Sequence, residues 1–226
     1  MPIATPINHR IRVKMCGFTR SEDINAAVKA GADAIGFVFY PKSKRCVSLA
    51  QAAALRQQVP AFVQCVALFV NAKPAFVRQV IQQVQPDLLQ FHGDESVAYC
   101  ESFQHPYLRA FRAGAPTMDT PESLLSVCRQ YPRAQGWLVD SYSAGYGGSG
   151  LRFDDALLSA LQQQHRDEEP PLVLAGGINH ENVRASIALH QPFAIDISSA
   201  IETAPGIKSA EKMHTFMQQL AHHASY

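Results

Sequence analysis

Several apolar runs in this sequence end in groups able to move protons or hold an anion. IRVKM (11–15) runs into Cys16, DLLQF (87–91) into His92, YLRAFR (107–112) ends in Arg112, and GWLVD (136–140) ends in Asp140. PLVLAGGIN (171–179) carries Gly176 and Gly177 behind its apolar core, and FAIDISSA (193–200) carries Asp196, Ser198 and Ser199. A basic loop, PKSKR (41–45), adds Arg45. The chemistry available is that of a base, an acid and a clamp for negative charge. A thiolate takes protons, a carboxyl group gives them, and a guanidinium fork holds a carboxylate. Paired glycines let backbone N–H groups close on an anion, and a helix start behind them at Asn179 would add its positive end.

Each of these residues also has a plainer reading. Cys16 is either a buried small hydrophobe or a thiolate favoured by positive charge from Lys14 and the 42–45 loop. Asp140 is either a turn residue or a general acid or base facing a site. Arg45 is either one charge of a solvated loop or a carboxylate clamp. His92 has no second histidine at metal spacing, so no metal is expected, and neither its role nor that of Arg112 follows from sequence. Cys46, Cys65, Cys100 and Cys128 read as packing residues. SYSAGYGGSG (141–150) is glycine-rich, with Gly147 and Gly148 as candidate phosphate contacts. It lacks the Lys-Ser/Thr ending of a nucleotide P-loop.

The elements that must position these groups alternate along the chain. Eight apolar strand runs begin near residues 11, 32, 62, 87, 107, 136, 172 and 193. A helical pattern follows each. Thr19 and Glu22 have capping-box spacing, Ser48 is placed to cap an alanine-rich helix, and Pro74 and Pro121 suit first helical positions. Phe76, Val77, Val80, Ile81 and Val84 make one helical stripe, and Met213, Phe216, Met217 and Leu220 another. A helix with Leu157, Leu158 and Leu161 ends at the solvated turn HRDEEP (165–170); His105 and His190 fall in turns. Such alternation implies a parallel sheet, and eight units close into a barrel. The expectation is therefore an α/β fold, a single (β/α)8 TIM barrel of eight parallel strands with outer helices, forming one domain over residues 1–226. In that fold chemistry sits at the C-terminal strand ends, and the loops after the last two strands hold phosphate. Strand parity places Lys14 one layer below Cys16. Because strand eight neighbours strand one in a closed barrel, Lys14 and Asp196 should pair inside it.

Composition narrows the partners. A net charge of +1 argues against a broad nucleic-acid or membrane surface. No apolar run approaches the roughly 20 residues that cross a bilayer. Five cysteines without a C-x-x-C pair argue against a disulfide scaffold and for a reducing compartment. MPIATPINHR has no apolar core, so no signal peptide is expected and the cytoplasm is the expected location.

The motifs VKMCGFTR (13–20), GADAIGFVFYPKSKR (31–45), LFVN (68–71), LLQFHGDE (88–95), LVDS (138–141), GYGGSG (145–150), LAGGIN (174–179) and AIDISSAIE (194–202) resemble the phosphoribosylanthranilate isomerase family of tryptophan biosynthesis. The first two are specific; GGSG alone is not. The resemblance implies an aldose–ketose isomerase with no metal or cofactor, either a monomer or a homodimer, acting on a small phosphorylated substrate. The implied reaction is an Amadori rearrangement. By the same resemblance Cys16 takes the place of the general base and Asp140 that of the general acid. Arg45 matches the arginine on the anthranilate carboxylate. Gly147, Gly148, Gly176, Gly177, Ser198 and Ser199 match the phosphate region, with Asp196 beside them. Ala200 replaces a commoner glycine, and Met15 a commoner isoleucine. Indole-glycerol-phosphate synthase and a phosphate-binding barrel without turnover are the alternatives. The first needs a lysine acid at a strand end, whereas Lys14 lies a layer lower; the second needs no acid–base pair.

Overall fold

The computed structural model describes residues 10–141 and 155–221. They form a closed parallel barrel of β1 (Arg12–Cys16), β2 (Ala34–Val38), β3 (Gln64–Phe69), β4 (Leu88–Phe91), β5 (Tyr107–Ala113), β6 (Gly136–Ser141), β7 (Leu172–Ala175) and β8 (Ala194–Ile197) in sequence order. Between and after them run α1 (Ser21–Ala30), α2 (Leu49–Arg56), α3 (Pro74–Val84), α4 (Val97–Glu101), α5 (Pro121–Cys128), α6 (Asp155–Gln164), α7 (Val183–His190) and α8 (Ala210–Ala221). The expected (β/α)8 architecture is present. Gly147 and Gly148 lie outside the described residues, as does most of the 141–150 stretch.

Strands of this barrel face neighbours on both sides, so they are apolar at almost every position. All five residues of β2 are buried. Alternate residues point inward. Ala34, Val66 and Leu108 form one interior cluster, and Ala110, Leu138, Val173, Ala175 and Ala194 form another. The outward residues pack under the helices, where Phe39 stacks on Phe69 at 5.4 Å and Phe69 meets Phe91 at 6.2 Å. Burying each such ring is worth roughly 2–3 kcal/mol. Closure of β1 on β8 sets Lys14 opposite Asp196.

Local signals explain most helix starts. Ser48 accepts from the Gln51 amide, Thr120 and Ser123 cap each other, and Pro74 and Pro121 open their helices. The Thr19–Glu22 capping box does not form. Arg20 is the N-cap residue without a side-chain cap bond, because the Thr19 hydroxyl donates instead to the Gly206 carbonyl at 2.6 Å. The helix expected directly behind Gly177 also starts later, at Val183. Asn179 first turns the chain by accepting from the Glu181 amide, and Asn182 bonds back to the Gly177 carbonyl at 2.8 Å. His190 is not a turn residue: it closes α7, buried, with Nε2 3.2 Å from Asp155. After β8 comes a 3-10 turn (Ser199–Ile201), followed by a hairpin of β9 (Glu202–Ala204) and β10 (Ile207–Lys208) that the sequence reading did not separate from its surroundings.

Candidate active site

The C-terminal strand ends open on a cavity of about 530 Å³. Cys16, Arg45, Asp140, Gly176, Gly177, Asp196, Ser198 and Ser199 all line it. So does His92. Two sets of contacts hold the rim.

The first set surrounds Cys16. Inside the barrel the Lys14 ammonium donates to both carboxylate oxygens of Asp196 at 2.8 Å, the pair that parity predicted. Above it, Lys208 of β10 is buried and donates to the Cys16 carbonyl, to the Ser198 carbonyl at 3.1 Å and to Glu202 at 2.8 Å. Ser198 Oγ donates to the Cys16 carbonyl at 3.0 Å. The hairpin thereby ties the ends of β1 and β8 together. Gly36 on β2 makes room for the thiol, since a Cβ there would sit 2.7 Å from Cys16 Sγ.

Arg45 does not project freely. Its Nε and Nη2 grip Glu202 at 2.8 and 2.6 Å, so one edge of the fork is already occupied. Glu202 is held below the usual carboxylate range: burial would raise it, but Arg45 and Lys208 outweigh that. Burial pulls the Lys208 ammonium down, with Glu202 only partly opposing. Burial also lowers Lys14, but Asp196 and Cys16 leave it net above its ordinary value, hence charged. For Cys16 the balance runs against the expectation of a ready thiolate. Burial pushes the thiol up, and the downward pull of Lys14 and Lys208 does not overcome it. The cations that act most on this sulfur are Lys14 and Lys208; from the 42–45 loop, the Arg45 guanidinium also feels its charge.

The second set surrounds Asp140, with hydrogen bonds inside the barrel and ion pairs bracing the strand ends. Gln90 Nε2 lies 3.0 Å from His92 Nδ1, and His92 Nε2 lies 3.2 Å from Asp140 Oδ2. Gly176 must be glycine here. Its φ is 84°, and a Cβ would strike Asp140 Oδ1 and Ser141 Oγ. The end of β4 is fixed from outside the barrel by buried Arg109, which donates to the Phe91 and Gly93 carbonyls at 2.9 Å. Glu95 accepts from the Gly93 amide at 2.8 Å. Arg112, at the end of β5, pairs with Asp94 at 2.8 Å.

Sequence reading missed Gln90, Glu202 and Lys208 and left His92 undecided. Gln90 shares the inward parity of His92, two positions on. ETAPGIK (202–208) carries a Pro-Gly turn signal that marks its hairpin. All five cysteines are free thiols, and no group of three or more metal-ligating side chains occurs among the described residues.

A closed parallel barrel with a thiol, a carboxyl group and a glycine turn around one mouth defines a (β/α)8 enzyme. Residues 13–219 match the family described as N-(5'phosphoribosyl)anthranilate (PRA) isomerase. The chain belongs to that family. It is 57% identical to the N-(5'-phosphoribosyl)anthranilate isomerase of Bordetella petrii over 208 residues, 92% of this chain and 94% of the relative. The phosphoribosyl anthranilate isomerase of Thermotoga maritima superposes with a TM-score of 0.82 at 36% identity, covering 94% of this chain and 99% of that one. A second solved isomerase, in complex with reduced 1-(o-carboxyphenylamino)-1-deoxyribulose 5-phosphate, gives 0.79 at 33% identity over 94% and 99% of the two chains.

Proposed function

We propose that this chain isomerises N-(5'-phosphoribosyl)anthranilate to 1-(2-carboxyphenylamino)-1-deoxyribulose 5-phosphate in tryptophan biosynthesis, with Asp140 as general acid and Cys16 as general base. The observation that carries the reading is that both groups line one cavity from different strands, between the Gly176–Gly177 turn and Arg45. Asp140 gives a proton to the furanose oxygen as the C1′–O bond breaks, and the ring opens to a Schiff base. The Cys16 thiolate takes the C2′ proton, and the resulting enolamine tautomerises to the ketone.

The substrate is anchored at both ends. Its phosphate lies at the left-handed turn of Gly176 and Gly177, φ 84° and 65°, near Ser198 and Ser199, with Gly147 and Gly148 as further candidate contacts. Asp196 acts from below through Lys14. Arg45 takes the anthranilate carboxylate with the edge that Glu202 leaves open. Pinning both ends turns the proton transfers into steps within one complex. No cofactor enters this scheme, the whole chain serves as one domain, and it works in the cytoplasm as a monomer or homodimer, which sedimentation distinguishes. No helix among the described residues is long and apolar enough to cross a membrane.

The direct test follows the decay of anthranilate-substrate fluorescence on adding the protein. Turnover that vanishes in Cys16→Ala and Asp140→Asn supports the scheme. Wild-type activity that survives both substitutions refutes the assigned roles.

A further inference from the structure

On the proposed reading, Asp140 has to deliver a proton from a defined oxygen. Three side chains spanning β4 to β6 bear on which one. Gln90 is fully buried, and His92 and Asp140 are each 7% exposed. Gln90 contributes its amide N–H to His92 Nδ1, and its Oε1 finds no partner. A ring nitrogen that accepts at Nδ1 carries its hydrogen on Nε2. That hydrogen points at Asp140 Oδ2, 3.2 Å away. The other oxygen, Oδ1, sits beside the Cβ-less Gly176 on the cavity wall. The backbone bearing His92 is braced by Arg109 and Glu95, so the ring has little freedom to drift.

We infer that His92, held by Gln90, is the positioning residue of Asp140: its Nε2–H occupies Oδ2 and leaves Oδ1 as the oxygen that carries the proton to the substrate. The inference rests on the isomerase reading and adds to it a residue that acts through the acid. The same role explains why a histidine with no metal partner stands at this strand end. It also explains why the residue two positions below, facing the same interior, is an amide and not another aliphatic.

The test is steady-state kinetics with the anthranilate substrate on the full chain. His92→Leu should lower kcat by about a hundredfold, the scale of a roughly 1 Å misplacement of a reacting group. KM and the melting temperature should change little. His92→Gln should recover part of the loss, because its amide N–H reaches the place of Nε2–H. In an Asp140→Asn background His92→Leu should cost little more, since residues acting as one unit are not additive. Unchanged kcat in His92→Leu, or a full further loss in the Asp140→Asn background, overturns the inference and leaves the isomerase reading standing. A wild-type protein without turnover overturns the reading beneath both. If His92→Leu does not fold, His92→Gln and Gln90→Met make the same comparison.

Discussion

Around Cys16 the rim is an ionic lattice, with Lys14 on Asp196 and Lys208 and Arg45 on Glu202. Around Asp140 it is a chain of hydrogen bonds through His92 to Gln90. The difference suits the two tasks proposed for them. A buried thiol loses charge by desolvation, and nearby positive charges with their hydrogen bonds oppose that. A carboxyl group that must hand over one proton needs its two oxygens told apart, which one directed N–H achieves. Ion pairs give the sulfur side its electrostatics at a cost: each buried ion is tolerable only with its partner, and removing one partner costs about 3–5 kcal/mol. On the acid side the buried ion pair is Arg109 with Glu95, which braces the end of β4 and makes no bond to Asp140 itself.

This contrast can be broken at several strengths. Cys16→Ala and Asp140→Asn should have the largest effects, each lowering kcat by roughly 10²–10⁴, the usual contribution of a positioned acid or base. Their melting temperatures should stay near wild type; near-normal turnover in either variant removes that residue from its role.

Lys208→Met should separate the two sides next. It strips a cation from the sulfur side but leaves Glu202 its two bonds to Arg45, so stability in denaturant unfolding should fall by less than the roughly 3–5 kcal/mol that an unpaired buried charge costs. It should also push the thiol further up, while Gln90→Met leaves thiol ionisation where it was. Titration of the Cys16 thiolate by its ultraviolet absorbance reads this directly, and equal shifts in both variants would dissolve the distinction.

Arg45→Ala comes third. The outer edge of its fork is proposed for the substrate carboxylate, so KM should rise by about tenfold with kcat less affected. Folding should survive, because Glu202 keeps Lys208 at 2.8 Å. An unmoved KM in a folded variant rejects the carboxylate assignment.

The smallest effect is on the wild-type pH profile. The free-enzyme thiol lies above its ordinary value, and the proposed mechanism needs its thiolate, so kcat/KM should keep climbing as pH rises through the usual thiol range near ~8.5. The raised value also means that folded protein holds the thiol proton more tightly than unfolded chain does. Its contribution to stability is complete below the unfolded pKa and is lost as pH rises toward the folded one. A profile already flat at neutral pH contradicts a thiol raised by burial.

Much of the fold was legible. Parallel strands buried on both faces carry near-continuous apolar runs, and Ser48, Pro74 and Pro121 mark helix starts by local chemistry alone. Thr19 misled because its hydroxyl found a partner on the β9–β10 hairpin, 187 residues away, that no local window contains. Asn179 misled because a good capping residue is equally good at making a turn of its own. Arg45 illustrates the same limit within the site: a basic loop looks solvated until Glu202, 157 residues on, closes over it.

By itself, then, the sequence determined the periodicities: eight strand–helix units, which residues share an inward face, and the Lys14–Asp196 pair that follows from parity and closure. Those are consequences of repeat lengths along one chain. Only the tertiary structure decided which strand ends meet, that His92 reaches Asp140 across β5, and that Cys16 sits so deep that burial outweighs two lysines. These depend on distance and on exclusion of water, and neither has a period that can be read from the order of residues.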